Sequence, residues 1–179
     1  MRMHGIEIRI ARIFNTYGPR MSLNDGRLIS NLLVQSLNGD DLTIYGDGEQ
    51  KRCFSYIDDC LSCLIPMLDQ KNLNKQVINI GPDEEFVTVN KVVEICSNIT
   101  GSNLEAVYKE DRPREVRHAT CSADKARKLL NYETRVSLSD GVKKTYDYIK
   151  KRGTKDFNYR LTIEIDNDLT PDTWKNKEI

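Results

Sequence analysis

No apolar run in the 179-residue sequence approaches the length of about 20 residues that a helix needs to cross a bilayer. The first residues, 1–5, also lack the apolar segment of a secretion signal and lead directly into an alternating strand pattern. These absences argue against a membrane-spanning or secreted protein, and we expect a cytoplasmic location.

The sequence has no excess charge of either sign, since 27 Lys and Arg residues balance 27 Asp and Glu residues. A balanced chain produces no overall positive field for a nucleic-acid backbone or an anionic lipid surface. We therefore expect neither nucleic acid nor a membrane among its partners. Local basic clusters that bind phosphate groups remain compatible with this composition.

Histidine and cysteine are both scarce. His4 and His118 are the only histidines, which is too few for a histidine-based metal site, and we expect no bound metal. The five cysteines are an odd number and lie inside periodic segments, which is typical of reduced thiols. Cys60 and Cys63 form one C-x-x-C in an apolar helical pattern, so burial is a better interpretation than a zinc or redox site.

Apolar periodicity predicts an α/β chain in which strands alternate with helices. Strands are predicted at residues 6–14, 42–45, 53–57, 76–80 and 104–108. Helices are predicted at residues 28–37, 57–68, 88–99, 122–130 and 139–152, the second with a kink or early end at Pro66. An apolar stripe runs along the helix at 57–68, and Asp58 and Asp59 are assigned to capping its N-terminus.

Several arginines lie in predicted loops or at element ends, beside glycine, proline or aromatic residues: Arg20, Arg27, Arg52, Arg112, Arg114 and Arg117. A solvated surface side chain is the ordinary interpretation of each. However, loops at strand ends are where α/β proteins place phosphate ligands, and the arginine fork suits phosphate oxygens. This pattern alone favours an anionic ligand and leaves the reaction open.

Several longer segments resemble the extended short-chain dehydrogenase/reductase enzymes of nucleotide-sugar metabolism. They are residues 12–21 (RIFNTYGPRM), 24–27 (NDGR) and 42–59 (LTIYGDGEQKRCFSYIDD). The first two are most similar to UDP-glucuronate decarboxylases. Residues 112–116 (RPREV) and 122–126 (SADKA) are instead similar to UDP-glucose 4-epimerases. The superfamily is therefore better defined than the subfamily.

The resemblance implies the C-terminal part of a Rossmann-type NAD(P)-binding fold, followed by a smaller α/β lobe that binds the substrate. Residues 1–153 would form this unit, and residues 154–179 would be a C-terminal extension. Such enzymes use NAD to oxidise the sugar at C4, and the 4-keto sugar is then reduced, decarboxylated or dehydrated. The implied protein is a homodimer with NAD as cofactor and a UDP-sugar as substrate.

Two motifs that the resemblance assigns to chemistry do not occur in the sequence: a Gly-rich loop for the NAD pyrophosphate and a catalytic Tyr-x-x-x-Lys. Tyr146 and Lys150 have the latter spacing, but the resemblance places their helix far from the active site. We therefore expect a C-terminal half whose catalytic residues lie upstream of Met1 and which is inactive alone. The alternatives are a UDP-sugar-binding module without chemistry and an inactive truncation that aggregates through an unpaired strand edge at residues 6–14.

The resemblance also carries over site residues. Phe14 and Arg20 match positions on the cofactor side, while Asn15 and Arg52 match groups at the substrate diphosphate. Residues 112 and 115 match a pair that holds phosphate and a ribose hydroxyl. Residues 24–28 match a UDP-sugar segment, and residues 42–45 match a strand whose backbone faces the uracil. The predicted substrate-binding residues are Asn15, Asn24, Asp25, Gly26, Arg27, Leu28, Leu42, Thr43, Ile44, Tyr45, Arg52, Arg112 and Glu115.

Overall fold

The computed structural model of the protein describes residues 6–23, 26–112 and 115–154, and in these ranges the α/β prediction is confirmed. Residues 4, 24, 25 and 114 and almost all of the predicted extension lie outside the described residues. The elements, in chain order, are β1 (Ile10–Ile13), β2 (Thr16–Tyr17), α1 (Leu28–Asn38), β3 (Leu42–Tyr45), β4 (Lys51–Arg52), β5 (Ser55–Tyr56), α2 (Ile57–Leu64), α3 (Pro66–Asp69), a 3₁₀ turn (Lys71–Leu73), β6 (Val77–Ile80), β7 (Val87–Thr88), α4 (Val89–Thr100), β8 (Ala106–Lys109), β9 (His118–Ala119), α5 (Asp124–Leu130) and α6 (Leu138–Arg152).

The strands form small and mostly parallel sheets. β1 pairs with β6, β2 with β5 and β3 with β8, all in parallel. β4 is the central strand of a three-stranded sheet, antiparallel to β7 and parallel to β9. Parallel neighbours need long crossover connections, and the helices between the strands provide them.

Local signals set the ends of α1 and α4. Gly39 ends α1 in the left-handed conformation with φ 79°, which glycine adopts without strain. Thr88 begins α4, since its Oγ1 accepts a hydrogen bond from the Lys91 backbone N–H at 3.1 Å. Gly101 ends α4 with φ 70°. Because these signals lie next to the helix ends, the sequence predicted both helices closely.

Two apolar cores hold the elements together. The first lies among α1, α4, α6 and β3 and includes Leu32, Leu33, Ile44, Val92 and Val142. The second lies among α2, α3, β6 and α5 and includes Cys60, Cys63, Ile78, Ile80 and Ala126. Each fully buried Leu, Ile or Val side chain in these cores contributes about 1.5–3 kcal/mol through removal of apolar surface from water.

The predicted strand at 53–57 is wrong in its extent, since residues 51–52 and 55–56 form two separate strands. Asp58 and Asp59 lie in the first turn of α2, but the predicted capping role is wrong for both, since the cap residue is Tyr56 and no side chain caps this end. Asp59 is only 3% exposed, and its carboxylate accepts the backbone N–H groups of Arg135 and Val136, each at 3.2 Å. It therefore fastens the loop before α6 to the first turn of α2, a contact between residues about 76 positions apart. Asp58 lies in the same turn and is exposed.

The apolar stripe predicted along residues 57–68 is only partly buried: Ile57 and Leu64 pack against the two cores, and the other three residues do not. Leu61, Ile65 and Leu68 are 39%, 59% and 73% exposed. The buried side instead contains Cys60, Cys63 and Met67. The C-x-x-C is therefore buried, as expected. The helix does break at Pro66, which begins α3. Periodicity alone could not choose between two apolar faces of one helix.

β1 is an edge strand in the described part of the chain. Only β6 pairs with it there, and ordered strand structure covers residues 10–13 of the predicted 6–14. Ile6, Ile8, Ile10 and Ile13 along this segment all remain exposed. An unpaired strand edge with aliphatic side chains is a surface that favours pairing with another strand.

The remaining differences are small. Residues 15–20, predicted as a loop, include the short strand β2. α6 begins at Leu138, with Ser137 rather than Ser139 as its cap, and the Ser137 side chain accepts the Asp140 backbone N–H. His118 is exposed on β9. Within the described ranges, no helix combines the length and the apolar character that a bilayer span requires.

Candidate functional site

A cavity of about 630 Å³ brings together most of the predicted substrate-binding residues, and its volume lies in the range of small-molecule sites. The predicted residues that line it are Asn15, Gly26, Arg27, Leu28, Thr43, Tyr45, Arg52, Arg112 and Glu115. The sequence did not indicate the other lining residues, which are Ile13, Thr16, Tyr17, Met21, Ile29, Asn31, Gln50, Phe54 and Val89.

Four of the predicted residues that the structure describes lie outside this cavity wall. Leu42 and Ile44 point into the first core, because side chains alternate along β3 and Thr43 and Tyr45 occupy the cavity side. The prediction for this strand concerned its backbone, which the alternation does not test. Phe14 and Arg20, predicted for the cofactor side, are not among the lining residues. Asn24 and Asp25 lie outside the described residues.

Thr43 places a hydroxyl group on the cavity wall. Its backbone N–H donates to Gln35 Oε1 at 3.2 Å, and its Oγ1 accepts from Gln35 Nε2 at 2.9 Å. Asn31 Nδ2 approaches the same oxygen at 3.5 Å. Since these amides supply donors to Thr43 Oγ1, its own hydroxyl proton is best placed to donate to a further acceptor. Gln35 and Asn31 lie one turn apart on α1 and so fix this arrangement.

Tyr45 and Arg112 stack on one another at the cavity wall. The guanidinium carbon of Arg112 lies 4.0 Å from the centroid of the Tyr45 ring, a cation–π contact. Arg112 Nε is buried and has no hydrogen-bond partner among the described residues. The stack therefore fixes the orientation of a cationic group at the cavity wall.

Arg52 and Glu115 form an ion pair across the cavity, and both side chains are largely buried. Arg52 Nη1 also donates to the carbonyl of Lys51 at 2.9 Å, which holds the guanidinium in place. The pairing of β4 with β9 brings these residues together from positions 63 apart in sequence. A diphosphate entering the cavity would compete with the Glu115 carboxylate for the Arg52 donors.

Gln50 presents an unsatisfied acceptor. The residue is 7% exposed, and its Nε2 donates to the Tyr45 carbonyl at 3.0 Å. Its Oε1 is buried and lacks a donor in the described part of the chain. A buried acceptor without a partner costs about 1–3 kcal/mol, so a ligand hydroxyl that donated to it would remove this cost.

Asn15 joins the end of β1 to the cavity. Its backbone is left-handed with φ 29°, a conformation that asparagine tolerates better than most residues. Its Nδ2 donates to the Cys53 carbonyl at 3.0 Å, and its own carbonyl accepts from the Ser55 N–H at 3.2 Å. In this structure the carboxamide therefore orders the loop that follows Arg52.

Tyr17 lines the cavity but is engaged in the fold. Its hydroxyl donates to the Leu138 carbonyl at 3.2 Å, and its ring contacts Phe54 and Tyr56 edge to face. Burial raises the pKa of the Tyr17 phenol well above its ordinary value. The group therefore stays neutral near pH 7 and is suited to positioning rather than to proton transfer.

The described cavity wall is thus equipped to bind an anionic, hydroxyl-bearing ligand.

Comparison with known proteins agrees with this arrangement. A family model described as GDP-mannose 4,6 dehydratase matches residues 1–145. UDP-glucuronic acid decarboxylase 1 of Xenopus tropicalis is 37% identical over 151 residues, which are 84% of this chain and 35% of that protein. UDP-glucuronic acid decarboxylase 3 of Arabidopsis thaliana is 40% identical over 141 residues, 79% of this chain and 40% of that protein.

Solved structures show the same likeness. The crystal structure of UDP-glucuronic acid 4-epimerase from Bacillus cereus, in complex with UDP-glucuronic acid and NAD, superposes with a TM-score of 0.78 at 36% identity. The match covers 85% of this chain and 48% of that chain. UDP-glucose 4-epimerase from Thermotoga maritima, with UDP-glucose, gives 0.77 at 32% identity, covering 84% and 48%.

This chain thus spans between about a third and a half of the length of these relatives. The match of the family model to residues 1–145, the identities above 30% and the shared Rossmann-type fold lead to one conclusion. The chain belongs to the GDP-mannose 4,6 dehydratase family, a family of extended short-chain dehydrogenase/reductase enzymes that modify nucleotide sugars.

Proposed function

We propose that this chain forms the nucleotide-sugar-binding part of an NAD-dependent enzyme that modifies UDP-sugars, a UDP-glucuronate decarboxylase or a UDP-sugar 4-epimerase. One observation carries the proposal: the cavity combines the Tyr45–Arg112 stack with Arg52 and the unsatisfied Gln50 Oε1. The names of the decarboxylase relatives and the ligands in the epimerase structures support this substrate class.

The proposal assigns the base to the end of the cavity formed by α1 and β3. An aromatic ring at Tyr45 suits stacking of a planar base, and the Thr43 hydroxyl offers a donor to a carbonyl oxygen of uracil. Asn31 and Gln35 fix the Thr43 side chain through its Oγ1. A base with an amino group in place of that carbonyl would place an N–H donor against the Thr43 O–H donor. No hydrogen bond would then form between them.

The diphosphate is assigned to Arg52 and Arg112. Both guanidinium groups lie on the wall of one cavity, and each supplies charge-assisted hydrogen bonds to phosphate oxygens. Gln50 Oε1 and the Glu115 carboxylate are the acceptors available there for ribose or sugar hydroxyls. Binding energy from these remote groups would hold the sugar in position for reaction.

The described residues fit one end of an NAD site. Phe14 follows β1 at the carboxyl ends of the parallel strands β1 and β6, where α/β proteins bind dinucleotides. A Cβ on Gly81, at the end of β6, would lie 3.0 Å from Phe14 Cβ, so glycine permits this close approach. We assign Phe14 and Arg20, which is exposed, to the cofactor side. Bound NAD would supply the hydride acceptor for oxidation of the sugar.

We also propose how the chain is divided, how the enzyme assembles and where it works. Residues 1–153 act as the substrate-binding unit and residues 154–179 as an extension. The intact enzyme is a homodimer, which light scattering on the purified enzyme would check. The protein works in a reducing compartment such as the cytoplasm, which the five unpaired cysteine thiols support.

Calorimetric titration of the full chain with UDP and UDP-glucuronate tests the proposal. We expect Arg52→Ala to weaken binding by about 1.5–3 kcal/mol, or about 10- to 150-fold, because a charged hydrogen bond to phosphate is lost. Arg135→Ala is the matched control, since Arg135 is exposed outside the cavity and pairs only weakly with Glu133 at 3.5 Å. Unchanged affinity in Arg52→Ala would remove Arg52 from the site, and no binding of UDP by the native chain would refute the proposal.

A binding module without chemistry is the second candidate. It is favoured by the cavity itself, whose described ionisable side chains are arginines, tyrosines and Glu115. Tight UDP-glucuronate binding by the full-length natural protein, with no turnover when NAD is added, would favour the module. Release of carbon dioxide or epimerised sugar would favour the enzyme.

A further inference from the structure

Two cysteines lie close together beside the cavity, each just after one strand of the β4–β9 pair. Cys53 directly follows Arg52 at the end of β4, and Cys121 lies two residues after β9. β4 and β9 are parallel with Arg52 opposite Ala119, so the two cysteines leave the same end of this sheet. Each thiol also acts on the pKa of the other, which makes the two side chains neighbours.

The two thiols differ in their access to solvent. Cys53 is fully buried, whereas Cys121 is partly exposed, with its Sγ 3.7 Å from the Gly81 carbonyl and 3.8 Å from the Pro82 carbonyl. A small oxidant would therefore meet Cys121 first, with Cys53 directly behind it. The remaining cysteines, Cys60, Cys63 and Cys96, are buried.

We propose that Cys53 and Cys121 are a redox modification site, at which hydrogen peroxide joins them in a reversible disulfide. The Cys121 sulfur attacks one peroxide oxygen, the O–O bond breaks, and the products are a sulfenic acid and water. The Cys53 sulfur then displaces the hydroxyl group from the Cys121 sulfur, which forms the S–S bond and a second water. Two thiols and one peroxide thus become one disulfide and two waters.

The bridge would act at the anion-binding end of the cavity. It would tie β4 to the chain after β9 directly beside Arg52, the partner of Glu115. The Cys53 carbonyl accepts the Asn15 carboxamide, so the same link would also restrain the end of β1. Oxidation is therefore expected to stiffen the contact between β1, β4 and β9.

The surroundings of Cys121 set the rate. Burial, together with the adjacent Cys53 and the carboxylates of Asp83 and Glu84, raises the pKa of the Cys121 thiol to about 12. The thiolate is the reacting form, so it is scarce at neutral pH. The rate of bridge formation should increase about tenfold for each pH unit between 7 and 9, following the thiolate fraction.

Peptide mapping of the oxidised full chain tests the proposal. The native chain is treated with hydrogen peroxide at pH 9, alkylated, and digested with trypsin and chymotrypsin, which cut between Cys53 and Cys60 at Phe54 and Tyr56. We expect a fragment containing Cys53 to be joined to residues 118–125, and dithiothreitol to separate them. The bridge should also raise the urea midpoint of the native chain relative to its reduced form.

Cys121→Ser is the matched variant, and it should show neither the joined fragments nor the change in urea midpoint. A Cys60–Cys63 bridge, a link from Cys121 to either of those residues, or sulfenic and sulfinic acids at Cys121 without a bridge would each overturn the assignment. Since UDP is absent from this experiment, its outcome is independent of the proposed substrate.

Discussion

Gly141 in α6 lies where the helix packs on aromatic side chains at the cavity. A Cβ at this position would overlap Tyr17 Oη and would lie 2.8 Å from Tyr17 Cζ and 3.0 Å from Tyr56 Cδ2. The contacts with Tyr17 require its ring to move, and the Tyr56 ring would have to give by a few tenths of an ångström. The substitution Gly141→Ala therefore tests the contact of α6 with the aromatic wall.

The expected effect of Gly141→Ala follows from three terms. Alanine favours the helix by about 1 kcal/mol relative to glycine. Overpacking opposes this by about 1–3 kcal/mol, since the rings have little room to shift. Displacing Tyr17 also breaks its hydrogen bond to the Leu138 carbonyl, at a cost of about 1 kcal/mol. The free energy of unfolding should therefore fall by about 1–3 kcal/mol.

Urea denaturation of four chains measures this effect: the native chain, Gly141→Ala, Tyr17→Phe and the double variant. The cost of Gly141→Ala should be smaller in the Tyr17→Phe background, where the shortest of the three contacts no longer exists. Ser139→Ala is the control, because Ser139 is exposed on the same helix and its loss should change stability by less than about 0.5 kcal/mol. A Gly141→Ala chain as stable as the native one would refute the described packing.

Two further predictions concern a cap and a carboxylate. Thr88→Ala should lower the free energy of unfolding by about 1 kcal/mol, because the Lys91 N–H loses its acceptor. Thr88→Ser should keep most of this stability, because serine retains the hydroxyl group. Equal urea midpoints for the native chain and both variants would contradict the cap. The hydrogen bond from Arg127 holds the pKa of Asp83 below its ordinary value, so Asp83 stabilises the fold above its unfolded pKa of about 3.9. This contribution is lost as the pH falls through the lower pKa of Asp83 in the folded state. Melting temperatures measured from pH 5 to pH 2 should therefore fall less steeply in Arg127→Ala than in the native chain. Identical slopes would exclude an effect of Arg127 on the Asp83 pKa.

Much of the fold could be predicted because its signals are local. β3 occurs at the predicted residues 42–45, where apolar and polar side chains alternate. α4 begins at the Thr88 cap and ends at Gly101, both of which are visible in the sequence. Such signals act over a few residues and need no knowledge of the rest of the chain.

The cavity was only partly predictable, because its contacts join distant segments. Arg52 was expected at a diphosphate, but its pairing with Glu115 depends on the pairing of β4 with β9. Gln50 was missed because its unsatisfied oxygen becomes apparent only when the turn before β4 is folded. Asn31 had a weak signal, since it and Gln35 are polar positions one turn apart on an otherwise apolar helix.

The two ends of the cavity belong to different stretches of chain. The Thr43–Gln35 contacts lie within residues 28–45, whereas Arg52 is held by the Glu115 side chain and by the alignment of β4 with β9. Substitutions at sites that share no partner have effects that add. In evolution or in protein engineering, the preference for one base could thus be exchanged for another through Asn31, Gln35 and Thr43, while Arg52 and Glu115 are inherited unchanged. Tyr45 would be kept as well, because Arg112 stacks on its ring.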